Sequence, residues 1–266
     1  MEVRFGSDVD VGPGGSFGGS GGESGGTVVG LSCTGRCADR LTDEEGLHDL
    51  RIAVRRLRSL LRPLRGLPGV EPLEQAAAEV GRLTTPIRDR EVLAAYLHRQ
   101  GHHAAATRRT AQLAEDYWKV ARSPELKHLL DVLDAFPRFL RAAEHQGLLK
   151  GLRKRIENRL AKQWRALEEA LHAPGHDRHR LRLLIKRVRY AAEAYPELDR
   201  LPASALRRLK AAQEALGDWH DCWQWLAQAQ TQEDLQPCVN GWRTTMARAE
   251  EKADRRLEKL GESCFA

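Results

Sequence analysis

One repeat constrains this chain more than any other feature. His48-Asp-Leu-Arg51-Ile-Ala-Val-Arg55-Arg56-Leu57-Arg58 aligns without a gap on His179-Arg-Leu-Arg182-Leu-Leu-Ile-Lys186-Arg187-Val188-Arg189, 131 residues later. A unit used twice predicts a fold of two related halves. The correspondence continues downstream, because Arg88-Asp89 follows the first segment at nearly the spacing at which His220-Asp221 follows the second. Both pairs are expected to open a helix.

Helical periodicity gives the repeat its physical meaning. At about 100° per residue, His48, Arg51, Arg55, Arg58 and Arg62 fall on one narrow arc, while Leu50, Val54, Leu57 and Leu61 gather on a second. The second copy places His179, Arg182, Lys186 and Arg189 at matching angles, with Leu181, Ile185, Val188 and Ala192 as its apolar face. Each helix thus predicts a buried stripe and an adjoining cationic stripe. Like charges three and four residues apart repel by a few tenths of about 1 kcal/mol per pair. A single R-x3-R is adequately read as a solvated ridge. Two matching copies argue instead for an anion that neutralises the ladder.

The rest of the chain is read as all-α. Alternating β-branched runs are almost absent outside Thr27-Val28-Val29. Residues 1–42 are rich in glycine and serine and predict a disordered tail, in which the G-x-S-x-G matches are accidents of composition. From 43 to 262 proline and glycine punctuation predicts ten helical segments, with breaks at Thr85-Pro86 and between Leu216 and Asp218 and a kink or stop at Pro137. The first repeat is placed at about 43–146 and the second at about 147–262. Residues 1–42 hold three basic and five acidic side chains, so the remainder is net +8 against +6 for the whole chain. The folded part is the basic part, which favours an acidic partner.

Several function classes are excluded or disfavoured. No apolar run is long enough to cross a bilayer and no secretory signal is visible, so a cytoplasmic protein without a membrane partner is expected. Cys33 and Cys37 form a C-x3-C without a second pair, and Cys222, Cys238 and Cys264 are dispersed, which predicts free thiols and no zinc site. Neither a phosphate-binding G-x-x-x-x-G-K-[ST] nor a zinc-hydrolase motif occurs.

The two segments resemble the signature of the CHAD family, the conserved histidine alpha-helical domain, whose pattern is roughly H-x-x-R-x-x-x-[RK]-[RK]-x-R twice per domain. Further resemblance lies in Ile87-Arg88-Asp89-Arg90-Glu91-Val92-Leu93, in Arg189-Tyr190-Ala-Ala-Glu193, and in Gln213-Glu-Ala-Leu216-Gly217-Asp-Trp-His-Asp221. The resemblance implies two pseudo-symmetric antiparallel four-helix bundles around a basic central channel that holds inorganic polyphosphate, with no cofactor and no catalysis. Carried over by position, the ligand contacts are His48, Arg51, Arg55 and Arg58, then His179, Arg182, Lys186 and Arg189. Arg62 extends the first stripe on its arc. Arg56 and Arg187 match the pattern but point off the stripe. Arg88, Arg155, Arg159 and Lys162 are supporting cations, and Asp89 and Asp221 are expected to orient arginines or cap helices. Recruitment to polyphosphate granules is one role the resemblance implies.

This sequence departs from the family in one respect. The helix that precedes the second motif, Gly147 to His172, would correspond to residues about 16–41, where the Gly/Ser tail stands. The first motif helix is therefore expected to expose apolar surface unless a partner chain, a compensating helix or a misassigned start codon accounts for the gap.

Arginine-rich walls suit phosphate chains, since guanidinium forks bind phosphate oxygens bidentately. RNA is a rival ligand, disfavoured because neither ladder carries a ring apart from Tyr190, and Trp219, Trp223 and Trp225 belong to another helix. Histidine-mediated metal binding is a second rival, from His98 and His102 at helical spacing and from His172, His176 and His179 around a loop. The last helix places Trp242, Met246, Ala249, Ala253, Leu257 and Leu260 on an apolar face.

Overall fold

Asp43 begins the ordered helical run: its side chain accepts a hydrogen bond from the Gly46 N–H, and Glu44 and Glu45 occupy the first turn, where carboxylates suit the positive end of a helix. The computed structural model describes residues 43–264 apart from 176 and 199–201. After α1 (Glu44–Leu61) comes a 3₁₀ turn (Arg62–Leu64), then α2 (Val70–Arg99), α3 (His103–Thr110), α4 (Leu113–Ala121) and α5 (Pro124–His145). They are followed by α6 (Leu152–His172), α7 (Arg178–Ala194), α8 (Ala203–Ala229), a 3₁₀ segment (Glu233–Cys238) and α9 (Val239–Cys264). The described residues contain no strand. The Gly/Ser tail, Cys33, Cys37 and His176 lie outside the described residues.

Local punctuation overstated the number of breaks. Pro86 sits within a continuous α2, and Pro137 within a continuous α5. At Pro86 the lost N–H is tolerable because Pro86 and Arg82, whose carbonyl it would have served, are both exposed to water. Just upstream, the Thr84 hydroxyl donates to the Val80 carbonyl at 2.9 Å and that of Thr85 to the Gly81 carbonyl at 2.7 Å. Gly217 likewise lies inside α8, where long packing against α9 outweighs a propensity cost of about 1 kcal/mol. Consequently Arg88-Asp89 and His220-Asp221 stand in mid-helix rather than opening helices, and neither aspartate is an N-cap. Conversely, the stretch expected as one helix from His102 to Ala121 divides into α3 and α4.

The apolar stripes do what their spacing predicts. Leu47, Leu50, Val54, Leu57 and Leu61 of α1 are buried with Leu73, Val80 and Ile87 of α2 and with Val120, Leu126 and Leu129 of α4 and α5. The apolar stripe of the first motif helix is therefore buried rather than exposed, with α2 packed along it. Leu181, Ile185 and Val188 of α7 bury against Leu167 and Leu171 of α6, Leu209 and Leu216 of α8 and Leu257 and Leu260 of α9. A third cluster joins Leu93 and Leu97 of α2 to Trp225 of α8 and Trp242 of α9. Trp242, Ala249, Ala253, Leu257 and Leu260 are all buried, as their face predicts. Cys222 and Cys238 are buried free thiols.

Neighbouring helices α1 and α2 run antiparallel, as the contacts Glu44–Arg88, Arg51–Thr84 and Arg65–Glu74 require. Helices α1 and α7 instead run in the same direction. Arg55 meets Tyr190, and the Tyr195 hydroxyl donates to the Leu60 carbonyl, both pairs being 135 positions apart. Buried Arg109 ties α3 to the segment after α8 by donating to Asp234 at 2.7 Å and to Gln232 at 2.5 Å. Ile185 is fully buried at the centre of the α7 seam. Ile185→Ala is expected to cost about 2 to 5 kcal/mol, whereas Lys162→Ala, on the exposed face of α6, is expected to stay within about 0.5 kcal/mol; urea unfolding followed by circular dichroism measures both.

Candidate functional site

The shared direction of α1 and α7 sets their cationic stripes side by side. Arg51 is anchored first: its Nη1 donates to the Thr84 hydroxyl at 2.9 Å and to that of Thr85 at 3.3 Å. The two threonines already spend their protons on the α2 backbone, so their oxygens are free to accept. The Thr-Thr-Pro sequence that reads as a helix break is thus the seat of an arginine in the stripe.

Tyr190 organises the next level. The Arg55 guanidinium lies 4.5 Å from the ring centroid and that of Arg189 lies 4.8 Å from it, so one ring holds a cation from each helix. Arg189 also approaches Glu193 at 3.4 Å. Lys186 lies within the charge of both helices: burial, reinforced by Arg182, Arg55 and Arg51, pulls its ammonium down to about 8, against the opposing pull of Asp221.

Asp89 and Asp221 are the anionic counterpart. Burial raises the carboxyl of Asp89, against the pull of Arg51, Arg182 and Lys186, and Gln224 hydrogen-bonds to it. Burial also raises Asp221, to about 6, with Asp89 and Asp218 adding to the rise and Arg182 and Lys186 opposing it. Both carboxylates therefore sit inside the cationic field, each feeling arginines or lysines of the stripes. Their spacing was visible in the sequence; their place in mid-helix was not.

A second cationic cluster surrounds Glu74. Arg65 grips this buried carboxylate through two contacts of 2.5 Å, and Arg62 Nε lies 3.6 Å from it. Burial alone would raise Glu74, yet the Arg65 hydrogen bond and the charges of Arg65, Arg62 and Arg58 hold it below the usual carboxylate range. Burial lowers Arg58 and Arg62, and Arg187 adds to both shifts. Arg187 is exposed, as its angle on the helix predicts, yet its charge still reaches these two; Arg56 is exposed as well. Arg65 and Glu74 carried no signal at the sequence level beyond their nearness to the ladder.

The most telling feature is what the guanidinium groups lack. The Nε atoms of Arg58, Arg62, Arg182 and Arg189 are buried and have no hydrogen-bond partner among the described residues, Arg62 keeping only its longer ion pair with Glu74. Charged donors left so cost more than neutral ones. Burial also lowers Arg182, which Asp221 and Asp89 only partly offset.

The remaining expected residues occupy other positions. His48 and His179 are exposed at the N-terminal ends of α1 and α7. Arg88 is committed to Glu44 at 3.0 Å and Glu91 at 2.8 Å, and Glu91 accepts in turn from the Tyr117 hydroxyl. Arg159 donates to the Pro63 and Arg65 carbonyls, securing α6 to the end of the first motif helix. Arg155 donates to the Leu148 carbonyl, and Lys162 is exposed. His98 faces His103 across 3.2 Å between Nδ1 atoms, rather than pairing with His102. No group of three or more metal-ligating side chains occurs among the described residues. No helix among them is long and apolar enough to cross a membrane.

Comparison with known proteins places this geometry. The model of the CHAD domain matches residues 35–230. The crystal structure of the CHAD domain from the plant Ricinus communis aligns with a TM-score of 0.63 at 24% identity, covering 89% of this chain and 88% of that one, a likeness that speaks for the fold. No curated protein matches the chain.

Lys186 offers a test of the electrostatic cost. Its value of about 8 in the folded protein lies below the ordinary 10.5, so it destabilises the fold fully below about pH 8 and progressively less as pH rises toward 10.5. Lys186→Met is expected to stabilise the ligand-free protein at pH 7 by on the order of 2 kcal/mol, a gain that shrinks at alkaline pH. Denaturant midpoints measured across that range decide the point.

Proposed function

Because this chain belongs to the CHAD family, we propose that it is a non-catalytic protein that binds inorganic polyphosphate between the facing stripes of α1 and α7. The contacts are His48, Arg51, Arg55, Arg58 and Arg62 on one side and His179, Arg182, Lys186 and Arg189 on the other. On this reading the chain comprises two related helical halves, about 43–146 and 147–262, flanking a basic channel. The role is cytoplasmic, with recruitment to polyphosphate granules as its setting, and needs no cofactor.

The observation that carries the reading is the set of buried guanidinium Nε atoms on Arg58, Arg182 and Arg189 that find no hydrogen-bond acceptor among the described residues. A linear polyanion supplies acceptors at intervals, and side chains three or four residues apart lie about 5 to 6 Å from one another, so successive rungs can each engage it. Asp89 and Asp221 temper the positive field between rungs and hold Arg51 and Arg182 in reach.

Replacing Arg51, Arg55, Arg182 and Lys186 together by alanine is expected to weaken polyphosphate binding about a hundredfold or more, with helicity intact by circular dichroism. Unchanged affinity in a folded variant would sink the reading. Binding is also expected to take up protons. A polyanion stabilises the protonated forms of Lys186 and Asp221, whose free values stand at about 8 and about 6. Affinity should therefore fall as pH rises from about 6 to 9, and calorimetry in buffers of different ionisation enthalpy would register the uptake directly.

A further inference from the structure

We propose that the end of this site beside His179 is a nucleobase platform, so that the same cations also take a nucleoside polyphosphate with its base on Trp223 and its phosphates on His179 and Arg182. The inference rests on the cationic reading above and adds a ligand class to it.

Trp223, on α8, is 50% exposed. One face of its ring stacks on His220, with centroids 5.8 Å apart and planes 14° from parallel. Trp219 flanks the same histidine at 6.2 Å and is held by a bond from its Nε1 to Glu250 at 3.2 Å. His220 in turn lies 5.5 Å from His179. A run of rings therefore leads from solvent to the first residue of the α7 stripe, one turn before Arg182. The sequence had set the tryptophans apart from the ladder because they belong to another helix; the fold brings two of them to its edge.

Two further observations favour a ligand at this place. His220 is 8% exposed, and its Nδ1 is buried without a hydrogen-bond partner, so a polar ring has been packed here at a cost. The other strongly exposed tryptophan, Trp118, is covered by the Arg122 guanidinium at 4.4 Å, whereas among the described residues no cation is stacked on Trp223. The ring beneath it, His220, lies within the charge of Arg182, His179 and Lys186, and a stacking face beside cations is the combination by which proteins hold a base and its phosphates together. The nearby carboxylates of Glu250 and Asp254 do not oppose phosphate with full charge, because Arg178 pairs with both, at 3.8 and 2.7 Å. Recognition on a stacking face tolerates any base, so the class is nucleoside polyphosphates rather than one nucleotide.

Titration calorimetry of the full chain with ATP and with inorganic tripolyphosphate, on wild type, Trp223→Ala and Trp223→Phe, tests this. Wild type should bind both ligands. Trp223→Ala should weaken ATP about tenfold or more and leave tripolyphosphate unchanged. Trp223→Phe should keep ATP affinity while losing the tryptophan fluorescence quenching that the base produces in wild type. An alanine variant that binds ATP as wild type does, or that weakens both ligands equally, overturns the platform, as does a wild type that binds tripolyphosphate but not ATP. Single-stranded RNA that binds far more tightly than ATP, with the same dependence on Trp223, overturns the small-ligand class. Failure of tripolyphosphate to bind wild type would strike the polyphosphate reading itself.

Discussion

Everything in this molecule accommodates one unfavourable fact: two helices carrying rows of like charge lie beside each other with those rows partly withdrawn from water. Repulsion between neighbouring cations and the loss of hydration both oppose that arrangement. What offsets it is apolar burial on the adjoining faces, where Leu47, Leu61, Leu181 and Ile185 are nearly or fully inaccessible. Thr84 and Thr85 then fix Arg51, the Tyr190 ring holds the guanidinium groups of Arg55 and Arg189, and the buried carboxylates of Asp89 and Asp221 soften the field. Arg51 and Arg55 are positioned by neutral groups, two threonine hydroxyls and a tyrosine ring, which leaves their charge uncancelled.

The apolar faces of both motif helices were legible at once, because a period of 3.6 residues needs only local sequence to be read, and every leucine placed on the inner arc of α1 is buried. Family membership was legible for a similar reason, since two spaced copies of one pattern leave little room for accident. The helix boundaries were not. Pro86, Pro137 and Gly217 are local signals of interruption, but the cost of each is small beside the packing of a 30-residue or 27-residue helix against its neighbours.

Within the site, spacing disclosed which side chains share a face and concealed what sits opposite. Asp89 and Asp221 were found by their repeat and expected to orient arginines or to cap helices; continuous helices remove only the second role. Glu74 and the two threonines belong to α2, Tyr190 sits one position off the arginine stripe, and Trp223 reaches the site only through the stacking of His220. Contacts between elements more than thirty positions apart have no signature in a single sequence.

The register of α1 against α7 has a consequence for size. Equivalent residues of the repeat are 131 positions apart, but those in direct contact are 135 apart, so the two copies are slipped by about one helical turn. Each stripe consequently overhangs the other, His179 and Arg182 at one end and Arg58 and Arg62 at the other. At about 1.5 Å of rise per residue, the joint row is about 6 Å longer than the longer stripe alone. On the proposed reading the slip would act as a ruler: a chain spanning the full row would gain from every rung, a shorter one would leave an overhang idle, and residues added beyond it would gain nothing further from the stripes.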